Sequence, residues 1–302
     1  MTENKLKLIT HSGSFHTDDV FACAALSIML EREGKEFEII RTRDEDLING
    51  MSKDEGYVFD VGGVYDPENN RLDHHQPGGA AKRENGLEYA SFGLVWKKFG
   101  SILAGSEEAA KMIDQKLVSP IDAHDNGVSL YEKKQDVAPY VLQNIFFAMY
   151  PTWKEEDEDI DQIFLKAVDI AKHILSREIT QTKDRLEAVG AVLESYQAAN
   201  DKRIIIVEKN YPCEETLKQF PEPIYVVYPR RDGTWGAKTM KDDITTFKNR
   251  KDLPAQWGGL KDADFVKITG VDDAVFCHRA LYFAIAKSKE GAIKLAQIAL
   301  VS

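Results

Sequence analysis

The sequence predicts an α/β protein: a doubly wound, mostly parallel sheet followed by a smaller α+β domain. Three observations lead there. Short strand-like runs over residues 5–10, 38–41 and 56–60 alternate with helical patterns, the order that builds parallel βαβ units. A long stretch from Ile163 towards Tyr196 repeats apolar residues at helical spacing. Beyond Asn200 the pattern turns to β-branched runs separated by glycine turns. The organisation that follows is a first domain over 1–155, a helical connector over 156–199 and a C-terminal domain over 200–302.

Taken in order, the strand over 5–10 delivers His11 at its carboxyl end. Ser12-Gly13-Ser14 is a loop, and Thr17-Asp18 stands where a helix begins. Val20 to Leu30 is dense enough in small and apolar residues for a helix packed on a sheet. The strands over 38–41 and 56–60 follow, the second ending on Asp60. Asp66 to Asn70 is a turn, and Leu72-Asp73-His74-His75-Gln76 leads into Pro77-Gly78-Gly79, which suits neither helix nor strand interior. Helices are expected over 86–99 and 107–117. Asp122 and Asp125 lie three apart and face one side of a turn that Asn126-Gly127 ends. In the C-terminal domain, strands are expected over 203–207, 224–228 and 274–278. Arg230-Arg231-Asp232-Gly233 forms a hairpin turn, Trp257-Gly258-Gly259-Leu260 a glycine turn, and 281–299 is mostly helix. Arg230, Arg231, Lys238 and His278 are candidates to grip an anion.

The 302 residues suffice for two domains with sizeable cores, and 43% hydrophobic with 29% charged residues marks an ordinary globular composition. A net charge of -11 argues against general adhesion to nucleic acid or anionic membrane, though a local basic patch can still hold a phosphate substrate. The three cysteines lack CxxC spacing, so neither a zinc ribbon nor a disulfide framework is indicated. No apolar run is long enough to span a bilayer, and the start lacks the core of a signal peptide; the expected location is the cytoplasm.

Chemistry concentrates upstream of residue 126. His11, His16, Asp18, Asp19, Asp60, Asp66 and the Asp73-His74-His75 triplet stand mostly beside glycines or at the ends of apolar runs. In a parallel sheet, ligands gather at the carboxyl ends of strands, which places His11 and Asp60 together. Imidazoles and carboxylates without thiolate suit Mn²⁺, Mg²⁺, Fe²⁺ or Zn²⁺. Aspartate can bridge two cations about 3.5–4 Å apart, the arrangement that activates a hydroxide for in-line phosphoryl displacement.

These residues carry a resemblance. His11-x4-His16-x-Asp18-Asp19, Asp60 to Pro67 and Asp73-His74-His75-Gln76 are similar to the ordered motifs of the DHH phosphoesterase superfamily. Within it the chain resembles the melanocyte-proliferating-gene-one exonuclease family, also labelled metal-dependent protein hydrolase. Thr42-Arg43-Asp44, Leu87 to Ser91 and Asp122 to Gly127 fit as well. The resemblance implies a DHH catalytic domain, a smaller C-terminal domain, a cleft between them, a divalent metal, usually manganese, and 3′→5′ exonuclease activity on RNA. By the same resemblance His11, His16 and Asp18 are metal ligands, Asp60 bridges two ions and His74 is the ligand of the triplet. Asp122 or Asp125 completes the set, and the sequence leaves that choice open. Asp73 and His75 orient ligands and substrate. After His278 the family tends to a glycine-containing segment, whereas this chain has Arg279-Ala280-Leu281-Tyr282.

The expectation is therefore a metal-dependent phosphodiesterase, a 3′→5′ exoribonuclease using two Mn²⁺. Gly258, Gly259, His278 and Arg279 would contact an RNA or short oligonucleotide, and the long helix offers a surface for a homo-oligomer. A small-molecule phosphohydrolase, acting on pyrophosphate, phosphomonoesters or cyclic dinucleotides, is the alternative. A non-catalytic metal-binding protein is the third.

Overall fold

The computed structural model describes residues 5–132, 134–243, 246 and 248–302. The chain falls into two compact units, Met1–Lys183 and Asp184–Ser302.

The first unit opens with β1 (Leu6–Thr10), α1 (Thr17–Arg32), β2 (Phe37–Arg41), α2 (Glu45–Gly50) and β3 (Gly56–Phe59). A short hairpin of β4 (Tyr65–Asp66) and β5 (Arg71–Leu72) follows. The sheet order is β2-β1-β3-β5-β4, with β4 as the antiparallel edge and the other neighbours parallel. This order positions the site. The chain leaves β1 for β2 on one side, then crosses to β3 on the other, and right-handed crossovers put α1 and α2 on opposite faces. The crevice at the carboxyl ends of β1 and β3 is thus the topological switch point of a doubly wound sheet, where ligands bind.

Every residue from Thr17 to Leu30 is buried, so α1 is a central helix without a solvated stripe. It packs against α3 (Ser91–Ala104). The sequence places that helix over 86–99; it begins at Ser91 because Asp18 reaches across from α1. The Asp18 carboxylate accepts the Ser91 and Phe92 N–H groups at 2.9 and 2.7 Å. A cap delivered from so far upstream leaves no local signal. α4 (Glu107–Ile113) runs through a π-turn into α5 (Ser119–Asp125), then come α6 (Leu142–Phe147) and α7 (Ile160–Ala198). α7 is one continuous helix, and the division between the units falls within it.

The second unit adds β6 (Ile204–Ile206), α8 (Glu214–Leu217), β7 (Tyr225–Pro229), β8 (Trp235–Thr239), α9 (Asp262–Thr269), β9 (Ala274–Cys277), β10 (Phe283–Ala286) and α10 (Lys289–Val301). Its sheet, β6-β7-β8-β10-β9, is parallel only between β6 and β7. Strand alternation divides its residues between two cores. Tyr225 and Val227 pack with Leu295 of α10, and Val226 packs with Val192 of α7. The helix expected over 281–299 is corrected here. Phe283–Ala286 is a strand paired on both edges, and α10 starts only after Ser288, whose hydroxyl accepts the Gly291 N–H. A short apolar run cannot be told from a helix by periodicity alone. Both units bear out the predicted α/β class. No described helix is long and apolar enough to cross a membrane.

Candidate metal centre

At the switch point, His11 follows β1 and Asp60 follows β3. The His11 Nε2 lies 3.2 Å from Asp60 Oδ2 and 3.3 Å from Asp19 Oδ2. The other Asp60 oxygen, Oδ1, accepts the Ser91 hydroxyl at 3.1 Å and lies 3.4 Å from His74 Nε2. His74 Nε2 in turn stands 3.3 Å from Asp125 Oδ2. Asp60 holds a left-handed backbone at φ 54, a conformation that aspartate tolerates better than most residues. Asp73 braces the triplet: it accepts the N–H groups of Gly63, His74 and His75, and meets His75 Nδ1 at 2.8 Å. Tyr150, through its hydroxyl, and Gln143 fasten the Phe15 and Thr17 backbone that carries this side of the site. The cavity over the cluster measures about 820 Å³.

Three groups of donor atoms result, each with its atoms within 4.8 Å of one another: Asp60, Asp73, His74 and His75; His11, Asp19 and Asp60; Asp18, His74 and Asp125. The carboxylates are buried and crowded. Burial, then the charges of Asp125 and Asp60, push Asp18 well above the usual carboxylate range. Burial and Asp60 likewise raise Asp125, and burial raises Asp19. For Asp60, burial acts in the same sense but is outweighed by hydrogen bonds to His11 and His74, which hold it below the usual range. Burial disfavours the His11 imidazolium, yet Asp19 and Asp60 outweigh it and push its pKa up to about 10. The crowded carboxyl groups thus resist full ionisation unless positive charge compensates them.

Such a site fits divalent cations. His74 Nε2 and Asp19 Oδ2 are buried with only long contacts, at 3.3 Å or more, to the other groups of the cluster, and both belong to donor groups. Oxygen and imidazole donors without sulfur match hard to borderline ions.

His11, Asp18, Asp60, Asp73, His74, His75 and Asp125, all singled out from sequence, come together in these groups. His16 lines the cavity but is exposed and stands outside the three groups. Asp122 has different partners from its neighbour Asp125. It is fully buried, pairs with Arg83 Nη2 at 2.7 Å and accepts the Gly93 N–H at 3.0 Å. Burial pushes its pKa up to about 7 against the pull of Arg83. A Cβ on Gly93 would lie 1.9 Å from the Asp122 carboxylate, which is why this position is glycine. In the second unit, Gly258 would meet Leu281 and the Arg279 carbonyl if it carried a Cβ, and Gly259 gives its N–H to Cys277. The His278 ring stacks on Phe283 and its Nδ1 accepts the Ala280 N–H; Arg279 is exposed.

Over residues 7–300 the sequence matches the family MYG1_exonuc, described as an uncharacterised protein family (UPF0160). The chain belongs to that family. A relative from Bos taurus named MYG1 exonuclease is 27% identical over 96% of this chain and 84% of its own length. Another of that name, from Homo sapiens, is 27% identical over 96% of this chain and 85% of its own. A solved pGpG-specific phosphodiesterase from Vibrio cholrae aligns over 99% of both chains at 12% identity and a TM-score of 0.33, a likeness too slight to bear on function.

Within this MYG1_exonuc chain, sequence reasoning assigned no role to three residues of the site. Asp19, adjacent to Asp18 in the first motif, turns its Oδ2 to His11. Arg43, just past the carboxyl end of β2, is exposed in the cavity and reaches His11 Nδ1 at 3.4 Å; the strand-end rule that found His11 and Asp60 applies to it as well. Ser91 has no such signal, because its bond to Asp60 exists only once α3 docks.

Proposed function

We propose that this chain is a divalent-cation-dependent phosphodiesterase of the cytoplasm, acting as a 3′→5′ exoribonuclease with two manganese ions. The observation that supports it most is the sharing of Asp60. Its Oδ2 faces His11 and its Oδ1 faces His74, as a bridging carboxylate between two cations requires. His11, Asp19 and Asp60 would hold one ion; Asp18, His74 and Asp125, with the second Asp60 oxygen, would hold the other. When bound, such ions neutralise the phosphate and acidify water enough for attack at neutral pH. The exonuclease name carried by relatives matched over most of their length supports the substrate class.

The remaining residues act on substrate. Arg43 offers a guanidinium to the phosphate oxygens. Asp73 fixes His75 through Nδ1, which leaves Nε2 of this 59% exposed side chain for the cavity. As water attacks phosphorus and the bond to the 3′ oxygen breaks, His75 gives its proton to the departing oxygen. In the second unit, Arg279 is the exposed cation for the RNA backbone, with Gly258, Gly259 and His278 shaping the turn beneath it.

The test is hydrolysis of short RNA, short DNA, pyrophosphate and bis(p-nitrophenyl) phosphate with Mn²⁺ and after chelation. The expected result is release of nucleoside monophosphates from the 3′ end of RNA, abolished by EDTA and restored by Mn²⁺. Full activity in chelator overturns the mechanism. Cleavage of pyrophosphate but not RNA transfers the site to a small-molecule phosphohydrolase, and metal uptake without hydrolysis of any substrate leaves a metal-binding protein.

A further inference from the structure

A second cavity, about 600 Å³, lies wholly within the second unit and is built on the sheet face opposite α10. Its size falls in the range of small-ligand sites. Cross-strand pairing sets its floor: Lys238 pairs with Phe283, and Gly236 with Tyr228, so these residues share one face. Gly236 makes room for the aromatic ring, since a Cβ there would lie 2.7 Å from Tyr228. The Tyr282 ring, 41% exposed, stands 4.9 Å from that of Phe283 and also lines the cavity.

The charge of this cavity runs against that of the chain. Four cationic side chains face it against two glutamates, in a protein of net charge -11. Three of the cations, Lys241 among them, are already engaged. Lys238 pairs with Glu214 and lies 5.3 Å over the Tyr228 ring, and Arg230 is held by Thr234 and Asp232. Arg185, at the α7 edge, is different. It is half-buried and has no hydrogen bond or ion pair with any described residue. A guanidinium at a cavity wall with no partner from the protein suits an anion with several acceptor oxygens. Aromatic faces beside it call for a flat, polar-edged ring. A nucleotide supplies both.

We propose that this cavity binds one nucleotide of a single-stranded RNA, the phosphate on Arg185 and the base against Tyr228 and Tyr282. The choice of RNA rests on the exoribonuclease reading; the site itself belongs to a different unit from the metal cluster and uses none of its residues.

The experiment is fluorescence anisotropy of a labelled hexauridylate on the full chain in EDTA, which reads binding without hydrolysis. Arg185→Gln is expected to weaken binding about tenfold and to reduce the salt slope by about one. Tyr282→Leu, at an exposed ring, should weaken it about fivefold or more. Lys294→Gln, at an exposed lysine of α10 on the opposite face of the sheet, should bind like the wild type. Hydrolysis of bis(p-nitrophenyl) phosphate with Mn²⁺ should be unchanged in all three. Wild-type affinity in both Arg185→Gln and Tyr282→Leu overturns the site. Displacement of the RNA by hexaglutamate at equal concentration also overturns it, in favour of an acidic peptide. If the two variants bind weakly while even the wild type cleaves no phosphodiester, the cavity stands and the exoribonuclease reading falls.

Discussion

In the first sheet the charged side chains crowd at the carboxyl ends of parallel strands, whereas in the second they stand on the face of a mostly antiparallel one. The first arrangement buries carboxylates against one another: Asp18, Asp19 and Asp60 are each at most 5% exposed. Repulsion and desolvation there are relieved only by histidines and by the ions the donors fit. The second leaves its cations half in water, where Lys238 has a glutamate and an aromatic face to lean on. The lesson is that the two sites answer to different forces. One crowds buried carboxyl groups that ionise fully only when positive charge compensates them. The other is open and cheap to maintain, as the reversible contact with an anion proposed for it would require.

The sharpest way to separate them is Asp60→Asn. Asparagine keeps the left-handed backbone at φ 54 and removes the charge. Hydrolysis of bis(p-nitrophenyl) phosphate is expected to fall about 10³-fold or more, with lower metal content by elemental analysis. Retained activity would mean that the shared carboxylate is not the centre of the first site.

Charge pairs offer the next contrast. Arg83→Met strands Asp122, which is 0% exposed, and should cost about 3–5 kcal/mol in urea unfolding. Lys238→Met strands Glu214, whose side chain is 38% exposed, and should cost less than about 1 kcal/mol. Equal losses would erase the distinction between a buried and an open site.

Within the first site, Asp125 and Asp122 can be told apart. Asp125→Asn is expected to reduce metal content and lower kcat/KM about 10–100-fold. Asp122→Asn should retain the metal and lower the melting temperature. Equal metal loss from both would put Asp122 among the ligands.

The smallest effect expected is from Tyr150→Phe, which deletes the hydroxyl that holds the Phe15 backbone beside His11 and His16. A loss of about 1 kcal/mol in stability is expected, with metal content intact. Loss of metal instead would show that this loop is held in register by one hydroxyl.

Much of this was legible in the sequence. The α/β class follows from alternating periodicities, and the cluster from histidines and aspartates at strand ends, because strand direction and side-chain type are local properties. His11 and Asp60 needed no more than that, whereas the role expected of His74 came from the family resemblance. Asp122 and Asp125 show where local reading stops: three apart on one helix, they look alike in sequence. Their partners come from elsewhere, Arg83 and Gly93 for one and His74 for the other. The start of α3 at Ser91 and the strand at Phe283–Ala286 were hidden for the same reason, one set by a carboxylate on α1 and the other by pairing on both edges. The cavity around Arg185 likewise joins a helix to four distant segments. The sequence by itself determined which chemical groups stand at the ends of the parallel strands. Tertiary structure decided which of them face one another, because burial and pairing depend on contacts between residues that the chain holds far apart.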